Sequence, residues 1–258
     1  MDSRRAVILG GLSVAALVGG GALYLREDRP ALPRLTRADL DQAISLGEQY
    51  LVRAQRPAGD FVYEVDWKTG VESASDEPVR QAGAAWGLGL AHLESADPAT
   101  SAALDRALAY WASKTRDADG KRWPVLDPRA PGSLGTVCLI GLALVERLRS
   151  PGTTAPPALA AHREWLEGLL AFVRSTRRAA GGFQDKFGAD GDSHGPGNPY
   201  ADGEALLLFT KAGVYLDRPD LADLAATWAE QDHQRNVIEP RRATPDPDQT
   251  KGYYQWGS

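Results

Sequence analysis

The sequence predicts an all-α fold assembled from repeated helical hairpins, and three observations carry that expectation. Apolar residues recur at helical spacing through seven segments, while no stretch alternates apolar and polar for long. A Gly-bearing turn followed by an aromatic recurs at Phe61, Trp123 and Phe183, which lie 62 and 60 residues apart. Finally, Arg56, Ala58, Gly59 and Phe61 return as Arg178, Ala180, Gly181 and Phe183, each offset by 122 residues. Two helical segments separate successive aromatics, so the unit is a hairpin of about sixty residues. Repetition at a fixed period means stacked units that bury a shared core.

The elements follow in order. Residues 6–25 carry no charge and are long enough to cross a bilayer as a helix. Before them, Ser3-Arg4-Arg5-Ala6-Val7-Ile8-Leu9 resembles a twin-arginine export signal. Residues 1–25 are therefore expected to be a signal or membrane-anchor helix, with an uncleaved anchor favoured because no Ala-x-Ala site is present. Residues 26–36, with Pro30 and Pro33, read as a polar linker. The helical domain, 37–258, holds segments at 37–54, 78–94, 99–116, 133–149, 157–177, 201–216 and 220–234. Thr36 and Asp39 form a capping pair before the first, and Pro98, Pro157 and Pro219 stand at or just before helix starts, where a missing N–H costs little. A single short strand is conceivable at 61–65.

Composition narrows the partners. The chain has 258 residues, 43% hydrophobic and 24% charged, with net charge −5 and no Lys/Arg block, which argues against nucleic acid. Cys138 is the only cysteine and sits in an apolar run, so no intrachain disulfide or Cys-cluster metal site can form. Asp117-Ala118-Asp119-Gly120 and Asp190-Gly191-Asp192 lack the full spacing of a calcium loop and read as turns. Neither a metal nor a cofactor is expected. The partners expected are a carbohydrate ligand and, through the N-terminal helix, a membrane.

Two kinds of connection alternate. Joins at 95–98 and 217–219 are short, whereas 55–77, 117–132, 178–200 and 235–252 are long and rich in Gly, Asp, Trp and Tyr. Long loops on one side of a rigid scaffold are where binding and catalysis concentrate. Segments 78–94, 133–149 and 201–216 are rich in Gly, Ala and Leu and read as inner helices; the more charged segments read as an outer layer. With Gln55 to Phe61 and Tyr200 to Leu208 (Tyr-Ala-Asp-Gly-Glu-Ala-Leu-Leu-Leu), this alternation resembles the α/α-toroid proteins, which include six-hairpin glycosidases, polysaccharide lyases, sugar epimerases and terpene cyclases. The resemblance implies an α/α toroid over 37–258. A closed ring of six hairpins needs about twelve helices, so an incomplete barrel is expected, with the eighth helix, an inner one, beginning near Tyr253.

Such a toroid gathers the starts of its inner helices at one mouth. The candidates for catalysis are Glu204, Asp202, Asp76 and Tyr200. Those for substrate binding are Glu64, Trp67, Arg80, Gln81, Trp123, Tyr253, Tyr254 and Trp256. Aromatic rings mixed with carboxylates suit sugars; hydrolysis needs two carboxylates, whereas epimerisation or elimination needs a base and an acid beside one C–H. Against this, Asp76, Asp202 and Glu204 are equally well placed to cap helices. The expected function is an extracytoplasmic carbohydrate-binding or carbohydrate-modifying protein of hydrolase, lyase or epimerase type. An isoprenoid-cyclase-like enzyme and a non-catalytic envelope scaffold are the alternatives. Glu64, Asp76, Arg80, Asp202 and Glu204 are expected to converge with Tyr200 and Tyr253 around one cavity.

Overall fold

The computed structural model describes residues 34–257 apart from Pro151 and Thr153. The expected signal or anchor helix, 1–25, and most of the linker lie outside the described residues; among those described, no helix is long and apolar enough to cross a membrane. The chain divides into two units, Met1–Ala43 and Ile44–Ser258. In the first, the Thr36 backbone N–H donates to Asp39 Oδ2 (2.8 Å) and the Asp39 N–H to Thr36 Oγ1 (3.2 Å), the reciprocal cap expected from sequence.

The helices are α1 (Arg37–Ala54), α2 (Pro78–Ser95), α3 (Pro98–Lys114), α4 (Leu134–Arg149), α5 (Pro156–Ser175), α6 (Pro199–Tyr215), α7 (Pro219–His233), α8 (Glu239–Ala243) and α9 (Asp248–Gly257). A wide π-turn, Gln234–Ile238, joins α7 to α8. The helix starts follow local chemistry. Proline opens α2, α3 and α6, and the side chains of Glu77, Asp97 and Asn198 accept the free N–H groups of Val79, Ala99 and Ala201.

Within the second unit the helices form two layers. α2 packs on α4, α4 on α6 and α6 on α9, making an inner row; α3, α5 and α7 back onto them. Every residue of α4 from Leu134 to Leu148 is buried, the signature of a helix packed on all sides. Small residues bring these helices close. A Cβ at Gly141 would lie 2.8 Å from both Leu208 methyls, and one at Gly213 would lie 2.6 Å from the Ala222 backbone nitrogen.

Each of α1, α3 and α5 ends in a turn that folds its aromatic back into the core. Gln55 pairs with Phe61 and Arg177 with Phe183, both antiparallel. In the middle copy the turn is a true hairpin, β1 (Thr115–Ala118) on β2 (Lys121–Pro124), closed by Asp119 and Gly120, both at positive φ. A second small sheet has the order β3 (Gly132–Ser133), β4 (Lys186–Phe187), β5 (Ser193–His194) and ties the loop before α4 to the loop before α6. Three expectations are corrected here. Strands form at these places, and 61–65 holds only isolated bridges at Phe61 and Val65. The segment 235–252 is not one loop but the π-turn, α8 and the start of α9. The eighth long helix starts at Asp248 rather than near Tyr253, because Thr250 and Tyr253 are buried and anchor its first turns.

Candidate functional site

The inner helices enclose a cavity of about 730 Å³. The first turns of α2 and α6 contribute Val79, Arg80, Tyr200, Ala201 and Glu204, α4 contributes Gly135 and Leu139, and α9 contributes Gln255 and Trp256. Trp86 and Trp256 each stand eight residues after the first residue of their helix. Their rings meet with centroids 5.8 Å apart and planes at 46°. Trp86 is held from behind: its Nε1–H donates to Glu146 Oε1 (3.4 Å), and that buried carboxylate is paired with Lys211 and with Arg149 (2.5 Å).

Among the described residues, Glu204 is the only carboxylate lining the cavity. It is 5% exposed. It does not cap its own helix, since Asn198 does that. Its Oε2 lies over Gly135, where an added Cβ would come within 2.4 Å. No other described residue forms a hydrogen bond or ion pair with it. Burial without compensation disfavours the charged form and pushes its pKa up to about 7. A carboxyl poised at that value can either take or give a proton at neutral pH. Arg80 and Tyr200, both exposed, reach the same cavity and supply a cation and a phenol.

The other expected residues go elsewhere: of the seven expected to converge around one cavity, Arg80, Tyr200 and Glu204 line it, and Trp256, expected to bind substrate, lines it with them. Asp202 and Gln81 occupy the same place in the third and first hairpins, the fourth residue of α6 and of α2. Each binds the backbone of its repeat aromatic: Asp202 Oδ1 accepts from Phe183 N–H (2.9 Å), and Gln81 exchanges two bonds with Phe61 (2.7 and 2.8 Å). The other Asp202 oxygen accepts from Arg235 (3.1 Å) and Asn236 (3.1 Å). Burial outweighs these bonds and raises its pKa. Asp76 Oδ1 accepts from Gln81 Nε2 (2.7 Å). Glu64 is exposed and, with Arg80 and Gln81, borders a neighbouring cleft of about 390 Å³.

The aromatics divide the same way. Trp67 is 85% exposed on the Asp66–Gly70 turn, with Lys68 over its ring. Trp123 is buried and stacks on Phe172 (5.4 Å). Tyr253 is buried on the far side of α9, near Asp232 and Asp202, and burial pushes its pKa up to about 12. Tyr254 is partly exposed beneath Arg241. Sequence reasoning missed Trp86, Gly135 and Asn198. Asn198 was findable as a polar residue directly before Pro199 at a helix start. Trp86 looked like any core aromatic in an apolar helix.

The sequence matches no protein-family model and no curated protein. The fold does match solved structures. It superposes on a D-mannose isomerase with a TM-score of 0.63 at 15% identity, covering 79% of this chain and 54% of that one. It superposes on the cellobiose 2-epimerase from Spirochaeta thermophila DSM 6192 with a TM-score of 0.60 at 16% identity, covering 80% and 57%. The chain thus spans somewhat more than half the length of these proteins and shares their α/α-toroid architecture.

Proposed function

We propose that the chain carries out proton-transfer chemistry on a carbohydrate, of the isomerase or epimerase kind, in the cavity between α2, α4, α6 and α9. The observation that carries this reading is Glu204, one unpartnered carboxyl held near neutrality beside aromatic rings. Glycoside hydrolysis uses a pair of carboxylates across the bond, and among the described residues the cavity offers a single one. Moving a proton beside a carbonyl needs only a group that takes it and returns it. In this scheme Glu204 removes the proton, Arg80 stabilises the negative charge that develops on the sugar oxygen, and Tyr200 donates a hydrogen bond to it. Trp86 and Trp256 form the apolar surface for the sugar face. The two toroids named above, an isomerase and an epimerase of sugars, support the substrate class.

The test is substitution of Glu204 by Gln, which keeps the shape and removes the proton-carrying group. Sugar turnover is expected to fall at least a hundredfold, the usual scale of a general acid–base contribution, with the thermal midpoint retained or raised. Turnover at the wild-type rate in the variant would refute the assignment. We further propose export across a membrane, on the twin-arginine-like Ser3–Leu9 segment and the uncharged run that follows. Replacing Arg4 and Arg5 by Lys and fractionating cells for the protein tests it.

A further inference from the structure

We propose that the outer-layer cleft between α3 and α5 is a second binding site, for an uncharged polyhydroxylated molecule of mono- or disaccharide size. The cleft has a volume of about 690 Å³, within the range of small-molecule sites. Its residues come from α3, α5, the β1–β2 hairpin and the join before α5, and none is shared with the cavity that holds Glu204. Leu108, Ala112 and Ala158 give it an apolar wall; Asp105, His162 and Trp165 give it a polar one.

The polar wall is what points to a ligand. Eight buried side-chain polar atoms lack a hydrogen-bond partner among the described residues, and six of them gather here. Asp105 Oδ1, Thr154 Oγ1, His162 Nδ1 and Trp165 Nε1 belong to residues lining the cleft, and Arg147 Nε and His92 Nδ1 lie behind it. Trp165 is only 6% exposed, yet its indole N–H, which can do nothing but donate, has no acceptor. Buried polar groups left without partners each cost stability, and native proteins rarely concentrate them in one place.

Charge decides the class of ligand. Asp105 Oδ2 already pairs with the buried Arg147 (2.7 Å), and Arg122 with Asp117 (2.6 Å) and Glu164 (2.6 Å). Burial lowers the pKa of His162 and keeps its ring neutral. Each cation at the cleft therefore has its anion, and an ionic ligand would find no free counter-charge. These atoms are closed to solvent as the side chains stand. A hydroxyl group both donates and accepts, so once Asp105 and Trp165 turn toward the cleft, neighbouring hydroxyls of one sugar serve the Asp105 oxygen and the Trp165 N–H together. The sugar's apolar face then lies along the alanines.

The experiment follows the indole N–H resonance of Trp165 in ¹⁵N-labelled protein, assigned by its loss in W165F, during titration with cellobiose, D-mannose and D-glucose. A saturable shift is expected. Ala112→Trp, which fills the cleft from an exposed position of α3, should abolish that shift. Trp86→Ala, in the inner cavity, should leave it unchanged. Binding at this site, read by calorimetry, should weaken about tenfold in W165F, the scale of one hydrogen bond. Glucose 6-phosphate and glucosamine should bind no more tightly than glucose. A resonance unmoved by every neutral sugar overturns the proposal. So does a shift that survives Ala112→Trp, or tighter binding of a charged sugar.

Discussion

Glu204 is buried by the same helix packing that denies it a partner, and this gives it a measurable signature. Its folded-state pKa, about 7, lies above the ordinary 4.5. Between those pH values the unfolded chain releases a proton that the folded chain keeps, so stability falls as pH rises through the window and levels off above it. Glu204→Gln removes that penalty. The variant should therefore match the wild type near pH 4 and exceed it at pH 8 by on the order of 2–3 kcal/mol, read by thermal melts at both pH values. Activity that needs the ionised carboxylate should rise as pH passes 7. Removing Asp202 has the opposite effect on stability. Replacing it by Ala strands the Phe183 N–H, Asn236 and Arg235, and the expected loss is about 3 kcal/mol or more at neutral pH, measured by urea unfolding. Gln81→Ala should cost about 1–3 kcal/mol by the same logic. The two roles were separable in the sequence. Gln81 and Asp202 are offset by 121 residues, almost the 122 of Phe61 and Phe183, so they travel with the repeat turn, whereas Glu204 has Gly83 at its equivalent place.

At the scale of elements, glycine sets how closely helices approach. Gly213→Ala would drive a Cβ against the Ala222 backbone, which cannot swing aside as a side chain can. The α6–α7 contact should loosen, with a loss of about 2 kcal/mol or more in denaturant unfolding. Gly135→Ala instead meets the end of a flexible side chain, Glu204 Oε2. Its stability cost should be small and its effect should fall on turnover, because it displaces the carboxyl. Helix positions were legible because Pro, acidic caps and 3.6-residue periodicity agree at each start. The small strands were not, since two- to four-residue ladders are too short to show an alternating pattern, and β1–β2 hides its one signal in the Asp119-Gly120 pair. The start of α9 was missed because Asp248-Gln249-Thr250-Lys251 is polar. Its burial at Thr250 comes from a hydrogen bond to the Asn236 carbonyl (2.8 Å), a long-range contact that no periodicity records.

Over the whole described unit, the two-layer arrangement of hairpins was readable from the sixty-residue repeat, and the likeness to sugar-modifying toroids bears out that architecture. The site was readable only in part. The repeat offset sets Gln81 and Asp202 apart from Glu204, but which side chain faces the cavity is decided by packing, which sends Asp76, Gln81 and Asp202 into the repeat turns and turns Glu204 to the cavity. The meeting of Trp86 with Trp256 unites residues 170 positions apart, and it should matter to ligand affinity: Trp86→Ala is expected to weaken sugar binding in the cavity about tenfold or more, by calorimetry on the Ala112→Trp background. The central claim is that Glu204 moves a proton on a sugar. The most direct measurement is deuterium uptake from heavy water into the carbon-bound positions of D-mannose, D-glucose and cellobiose, followed by proton NMR. Exchange beside the carbonyl carbon with the wild-type protein, and its loss in Glu204→Gln, is the predicted result. Sugar that binds the wild-type cavity yet keeps every carbon-bound proton, or exchange that persists in Glu204→Gln, would contradict it.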